Sequence, residues 1–338
     1  MLYIGIDLHL KTTYVTAIDE DQRVVAKANL PSNADVLVKY LMGLNTALMS
    51  VMESCSAWYW AYDALTEAGL DVIVSNPKKT RAIASQSIKT DRKDSLMLAR
   101  LLRAGMIEPV YVAQKPMRHL KEMLRHRMRL VRDATRMKNR IRNILAKMNV
   151  VVPWKSLWGP KGRAFLEKLA LQEPYGRILW TYHTHLDSLK EQIRALTHEM
   201  EQEAENNPQA KLLMTAPGVG PIVAMTFLAE VGEIRRFPTY RHLASYLGLI
   251  PRLEASGAKE RTGRITKEGP VYLRSLLVEA AHVIGRCTKG HLHSFYWKML
   301  IRKDRKKAAV ATAHKLAKLL YFMLRDQRPY TEELPSPA

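Results

Sequence analysis

Short runs of β-rich residues separated by polar turns open the chain. Residues 3–7 and 13–18 are such runs, 19–22 make a polar turn, and 23–30 resume the strand pattern. A helical stretch over 35–44 precedes another apolar run, 47–52, which ends on Glu53. Residues 57–68 read as a helix closed by Gly69, residues 71–75 as a strand, and Pro77 begins a helix-rich segment reaching Gly105. Strands first, then helices alternating with strands, predict a mixed α/β sheet with helices on its faces.

Beyond residue 110 the apolar period becomes helical. Met117, Leu120, Leu124, Val131, Ala134, Ile141, Leu145 and Met148 follow a 3,4 alternation in which Arg127 and Lys138 take the two remaining places. A second helix carries a cleaner seam of Leu179, Tyr182, Leu186, Leu189, Ile193, Leu196 and Met200, the spacing of a coiled coil or an antiparallel helix pair. Trp154, Trp158 and several prolines between them suggest a turnaround, and Asn206-Asn207-Pro208 ends the second helix. Residues 209–338 read as mainly helical, with loop signals over 217–221 and 251–269. The expected division is therefore 1–110, 111–207 and 208–338.

Charge separates these regions. The chain of 338 residues has a net charge of +21. Residues 1–110 are balanced, with 12 basic and 12 acidic side chains, whereas 111–149 hold 12 against 2 and 206–338 hold 22 against 10. A neutral front and two basic blocks point to nucleic-acid phosphates as partner, with a solvated charged surface as the plainer alternative. Arg125, Arg129, Arg132, Arg136 and Arg140 on the basic helix are the candidate contacts. The two cysteines, Cys55 and Cys287, favour a reducing cytoplasm over a disulfide framework or a cysteine-ligated zinc. No stretch approaches the roughly 18–20 uncharged apolar residues that a membrane span needs, and the opening residues lack the pattern of a secretory signal.

Four carboxylates in the neutral front can build a metal site. Asp7 ends the first strand, Glu53 ends a later one, and Asp91 and Asp94 lie three apart at a helix start, on one helical face. Such oxygen donors suit Mg2+ or Mn2+, which can activate one oxygen and stabilise another at a phosphodiester. Asp91 beside Thr90 equally suits a helix N-terminus, and Glu53 an ordinary strand-end acid. Asp7 is harder to dismiss, because an acid that directly follows an apolar strand is costly without a partner.

A second constellation lies near the other end. Residues 215–221, with Gly218 and Gly220, read as a helix-hairpin-helix turn able to approach a phosphate, or as a plain helix–helix turn. Further on, Ser256-Gly257 sits among Arg252, Lys259, Arg261, Arg264 and Lys267, which would surround a bound phosphate with positive charge. From composition alone that serine is a turn residue.

The motifs Tyr3-Ile-Gly-Ile-Asp7, Met52-Glu53-Ser54, Asn76-Pro77 and Lys89-Thr90-Asp91-Arg92-Lys93-Asp94 resemble the DEDD transposases of insertion-sequence family 110, bridge-RNA-guided recombinases with a RuvC-like front domain. Tyr246-Leu-Gly-Leu-Ile-Pro251, Ser256-Gly257, 263–270 and Leu273-Arg274 resemble the family's transposase domain. Ser95, where the family commonly has alanine, and Ser54-Cys55-Ser56 after Glu53 depart from its usual wording. The resemblance implies a RuvC-like (ribonuclease-H-like) α/β domain, then an α-helical coiled coil, then a mainly helical transposase domain. It implies Asp7, Glu53, Asp91 and Asp94 as a metal-binding tetrad and Ser256 as a nucleophile giving a phosphoserine link. It also implies DNA as substrate, a structured guide RNA, and a homo-oligomer whose subunits share a composite site. His242 and His282 are candidate bases or ordinary helix residues. The alternatives are a metal-dependent nuclease with a structural serine, a non-catalytic nucleic-acid binder, and an actin-like kinase. The kinase lacks its phosphate-loop glycine after Asp7.

Overall fold

The structure, a computed structural model, describes residues 1–83, 91–154, 156–256, 259–287 and 289–332, with backbone alone for 82, 91, 92, 253–256, 259–262 and 287. It divides into two compact units, Met1–Ala113 and Gln114–Ala338.

The first unit is a five-stranded sheet. Strands β1 (Leu2–Leu8), β2 (Thr12–Ile18) and β3 (Val24–Pro31) run antiparallel as successive neighbours. Helix α1 (Ala34–Met42) then carries the chain to β4 (Leu48–Glu53), which pairs parallel to β1. Helix α2 (Trp58–Glu67) leads to β5 (Asp71–Ser75), parallel to β4, giving the order β3-β2-β1-β4-β5. Helices α3 (Pro77–Ile83) and α4 (Asp91–Arg103) complete the unit.

The period-two geometry of a strand sorts β1 and β4 between two faces. Leu2, Ile4, Ile6 and Leu8 join Met52 in a core with Leu37 and Leu41 of α1 and Ala61 and Leu65 of α2. The opposite face places Val51, with Tyr3 and Met49 beside it, against Leu98 and Leu102 of α4. This sheet with helices on both faces is compatible with the expected RuvC-like domain.

Among its described residues the second unit is helical apart from one two-stranded ribbon. Helix α5 (Lys115–Lys147) and helix α7 (Tyr175–Asn206) pack side by side, joined through α6 (Pro160–Lys168). Arg127 donates to Thr197 Oγ1 at 2.7 Å, while Arg140 stacks over Tyr182 at 5.5 Å. Thirteen residues forward on α5 thus correspond to fifteen backward on α7, and the pair is antiparallel. Leu179, Leu186 and Leu189 face α5 as their spacing predicts. Helix α5 buries a wider stripe than its 3,4 alternation indicates. Leu130, Met137 and Ile144 form a second seven-residue series in the same core.

Helices α8 (Pro208–Met214) and α9 (Pro221–Val231) flank the turn at Gly218. Ala224 to Val231 are buried without interruption, so α9 is enclosed on all sides, by α5, α7, α8 and α11 (Val271–Cys287). Helices α10 (Tyr240–Tyr246), α12 (His291–Arg302) and α13 (Arg305–Asp326) finish the core. Leu124 of α5 and Met200 and Ala204 of α7 belong to this same core, so the junction at Asn207-Pro208 lies inside the second unit.

Residues 251–269, expected as loop, instead contain a two-stranded ribbon of β6 (Pro251–Ser256) and β7 (Lys259–Ile265). Its sequence carries prolines and glycines at both ends and few β-branched residues, so local propensity points to a loop. Backbone pairing wins because the two segments are held together at their base.

Candidate active site

Two constellations carry the candidate chemistry, one in each unit. In the first, the register pairs Ile6 with Met52 across β1 and β4, so Asp7 and Glu53 follow at the carboxyl ends of adjacent parallel strands. Both have the parity of Tyr3, Met49 and Val51, which puts them on the α4 face. The His9 ring Nε2 lies 3.1 Å from Asp7 Oδ2. His9 is held in turn by its backbone. Its carbonyl accepts from Ser32 Oγ at 2.8 Å, and its amide donates to the Thr12 carbonyl at 3.0 Å.

Gly5 brings α4 down onto the sheet. A Cβ there would collide with the Ser95 carbonyl oxygen and come within 2.7 Å of the Ala99 amide nitrogen. The helix backbone therefore lies directly on β1, one residue past Asp94. Ser95 Oγ and Thr16 Oγ1, both fully buried, are 2.7 Å apart and tie α4 to β2. Thr16 pairs with Gly5 in the β1–β2 register, so the glycine seat and the hydroxyl pair are one contact region. The serine that departs from the family's alanine therefore has a structural partner. Asp94 is half-buried on the first turn of α4, and the Asp91 side chain lies outside the described residues.

Asp7, Glu53 and Asp94 offer only carboxylate oxygens, a donor set suited to a hard divalent cation. Among the described residues no group of three or more His, Cys, Asp or Glu side chains is close enough to hold an ion.

The second constellation is the β6–β7 ribbon. Ser256, the last residue of β6, pairs with Lys259, the first of β7; the side chains of both lie outside the described residues. Arg252 and Arg264 on the same ribbon are exposed, and Lys267 follows it with a left-handed backbone at φ 58°. Its base is locked by Arg274 on α11. This buried guanidinium donates to the carbonyls of Leu247 at 2.9 Å, Glu268 at 2.7 Å and Lys267 at 2.9 Å. Burial lowers the Arg274 pKa below the usual guanidinium value. Gly269, at φ +69°, has no room for a side chain, because a Cβ would strike the Tyr246 carbonyl oxygen. One arginine thus joins the chain entering the ribbon to the chain leaving it. Its place in the Leu273-Arg274 motif was legible; its role was not.

At the α8–α9 turn, Gly218 has φ +76° and a Cβ there would lie 2.9 Å from the Ala280 carbonyl. Packing against α11 accounts for this glycine. Gly220, exposed at the start of α9, has open space around it.

The arginines of α5 are more engaged than their sequence suggests. Arg125 makes a two-pronged contact with Glu230 of α9, Nε to Oε1 at 2.9 Å and Nη2 to Oε2 at 3.2 Å, and Lys121 Nζ adds a third at 2.8 Å. The Glu230 side chain is only 2% exposed, so this ion group fastens α5 to α9. Arg132 stacks on Tyr272 at 4.5 Å, next to the ribbon's base. Arg129 and Arg136 form surface pairs with Glu122 and Asp133 and stay more than half exposed. Such pairs hold weakly and leave the guanidinium open to a phosphate. His242 bonds Thr239 Oγ1 at 2.9 Å and His282 lies 3.2 Å from the Tyr296 hydroxyl. Burial lowers the pKa of His282.

Comparison with known proteins follows the same order along the chain. A DEDD transposase model of the IS110 type matches residues 4–150, and a model described as transposase IS116/IS110/IS902 family matches residues 210–297. A probable family 20 transposase of Pseudomonas aeruginosa is 29% identical over 97% of this chain and 98% of its own length. The transposase for insertion sequence element IS1111A of Coxiella burnetii is 26% identical over 97% and 90%. The pilin gene-inverting protein of Moraxella bovis is 25% identical over 86% and 84%. A DEDD domain goes with dependence on a divalent metal, and a transposase has DNA as its partner. No helix among the described residues is long and apolar enough to cross a membrane. With a DEDD domain in front and a transposase domain behind, the chain belongs to the IS110 family of transposases, enzymes that cut and rejoin DNA.

Proposed function

We propose that this transposase cuts DNA with Ser256 as nucleophile and a divalent metal, Mg2+ or Mn2+, held by Asp7, Glu53, Asp91 and Asp94. The observation that carries the metal half is the α4 face of the sheet. Strand-end Asp7 and Glu53 lie on it side by side, and Gly5 seats the helix bearing Asp94 against it. The bound metal would supply Lewis-acid stabilisation of phosphodiester oxygens. Ser256 Oγ attacks phosphorus, one backbone P–O bond breaks, the serine proton is released and the departing deoxyribose oxygen leaves as a hydroxyl. Attack on the phosphoserine by the hydroxyl of another strand reverses these changes and frees Ser256. Bond energy is kept throughout, so no nucleotide cofactor is required. The Arg274 clamp supports the serine half, because a reacting hydroxyl at the end of a ribbon needs a fixed base.

A structured RNA choosing the target, and a homo-oligomer sharing composite sites, complete the reading. Both rest on the family resemblance, and the antiparallel α5–α7 pair is consistent with the expected coiled coil. Arg129, Arg132, Arg136 and Arg140 on α5, with Arg252, Lys259, Arg264, Lys267 and the α8–α9 turn at Gly220, are the proposed nucleic-acid contacts. Ser256→Ala should abolish the covalent protein–DNA adduct on a denaturing gel while leaving DNA binding intact. A persistent adduct in that variant overturns the serine assignment and points to another nucleophilic side chain, whereas cleavage by the parent chain with no adduct at all overturns it in favour of a metal-dependent nuclease. Sequencing of RNA that co-purifies with the protein tests the guide: one recurrent structured species supports it, and none overturns it.

A further inference from the structure

The joint between α12 and α13 is the most charged stretch of the second unit. Residues 298–307 hold Lys298, Arg302, Lys303, Arg305, Lys306 and Lys307 against one carboxylate, Asp304. Lys298 and every residue from 301 to 307 are exposed. Six cations against one anion in ten residues supply almost half the positive excess of residues 206–338, where 22 face 10. Asp304 is already engaged. It caps α13 by accepting from the Lys307 amide at 2.9 Å, and its other oxygen lies 3.1 Å from Lys307 Nζ. Arg286, at the end of α11, extends the positive surface, since it and Arg305 both bear electrostatically on His282.

An apolar ridge runs through this charge. Trp297 and Ile301 stand four apart on one face of α12 and are 45% and 83% exposed. The Trp297 ring is fixed, because Nε1 donates to the Gly285 carbonyl at 3.0 Å. A fixed aromatic and an extended aliphatic flanked by lysines and arginines form an uncommon surface. A second copy of the chain would bring like charge to it, whereas a polyanion would not. Cations on phosphates with an apolar side chain pressed into the groove is a recurrent way to grip duplex DNA.

We propose that the α12–α13 joint is a duplex-DNA-holding surface, with Lys298, Arg302 and Lys306 on backbone phosphates and the Trp297–Ile301 ridge in a groove. Apart from Trp297, its residues lie beyond the end of the match to the transposase-domain model at residue 297. It stands apart from the serine chemistry, so failure of either leaves the other intact.

The test uses the full chain, with fluorescence anisotropy on a labelled DNA duplex and a labelled RNA hairpin over a range of salt. The triple variant Lys298→Gln, Arg302→Gln, Lys306→Gln should flatten the duplex log K against log salt slope by about 2 to 3, near 0.9 per lost phosphate contact. A control with equal charge loss, Lys39→Gln, Lys161→Gln, Lys168→Gln, should keep the parental slope. Ile301→Ala should weaken duplex binding several-fold at an unchanged slope. All seven positions tested are exposed, and matched circular dichroism melts establish folding. An unchanged duplex slope, the same flattening in the control, a loss confined to RNA, or a change only in oligomeric state would each overturn the proposal.

Discussion

The candidate carboxylate site and the ribbon that carries Ser256 are built in opposite ways. Asp7 and Glu53 sit at the ends of two central strands whose neighbours are Ile6 and Met52, both fully buried. Ser256 ends a two-stranded ribbon whose order comes from its base, where Arg274 gathers three carbonyls. An isolated ribbon of two strands is marginal in water, so its anchor matters more than its own pairing. One half is positioned by the core of a sheet, the other by a single buried cation. Damage to the first should therefore spread, and damage to the second should be local.

Gly5→Ala tests the spreading case and should have the largest effect. The added methyl meets helix backbone, which cannot swing away as a side chain can. A loss of about 3 kcal/mol in urea denaturation is expected, together with weakened Mn2+ binding in calorimetry. Unchanged stability would mean that α4 does not rest on β1 as described.

Arg274→Met tests the local case. Three carbonyls lose a charged donor, for about 2 kcal/mol in the same assay, and adduct formation should fall far more than DNA binding. Arg274→Lys should rescue poorly, since an ammonium lacks the planar fork that reaches both sides of the ribbon. Full adduct formation by the lysine variant would break this account.

Ser95→Ala probes the helix seat more gently. Removing the hydroxyl takes away the Thr16 partner inside the core, for about 1 kcal/mol. Adding Thr16→Val should recover part of that loss, and a double variant worse than the single one would contradict the pairing.

The smallest change in stability is expected from Arg129→Gln with Arg136→Gln. Surface pairs of this kind contribute a few tenths of a kcal/mol each, so the denaturation midpoint should hardly move. Nucleic-acid binding should nevertheless show a shallower salt slope, and an unchanged slope would remove both residues from the interface.

Acid sharpens the same comparison. Burial, assisted by neighbouring cations, lowers the folded pKa of His282 and His314, both in the second unit. The unfolded chain then takes up protons first, near about pH 6.5. Stability from these groups is present above that pH and declines as pH falls through it toward the folded values. Amide exchange in α11 and α13, corrected for intrinsic rate, should quicken between about pH 7 and 5. Exchange in β1 should change less; equal acceleration in β1 would contradict a local origin.

Much of the candidate site is legible in the local pattern of the sequence. Asp7 and Glu53 close apolar runs, and period-two alternation fixes which face each occupies once the strands pair. Asp94 on the first turn of α4 follows from local helix signals. The Ser95–Thr16 bond spans 79 positions and Arg125–Glu230 spans 105, so no local pattern announces either. The ribbon at 251–265 carries only loop signals in its sequence for the same reason, since its order comes from an arginine outside it.

The sequence by itself determined the strands of the first unit, the long helices, the order of the two candidate regions, and the excess of positive charge, because these depend on periodicity and composition. Only the tertiary structure decided which charges are used internally. Arg125 and Lys121 were indistinguishable from their neighbours along α5 until Glu230 met them from α9. A buried carboxylate requires partners when water is excluded, and which cations serve depends on helices that meet only in the folded chain.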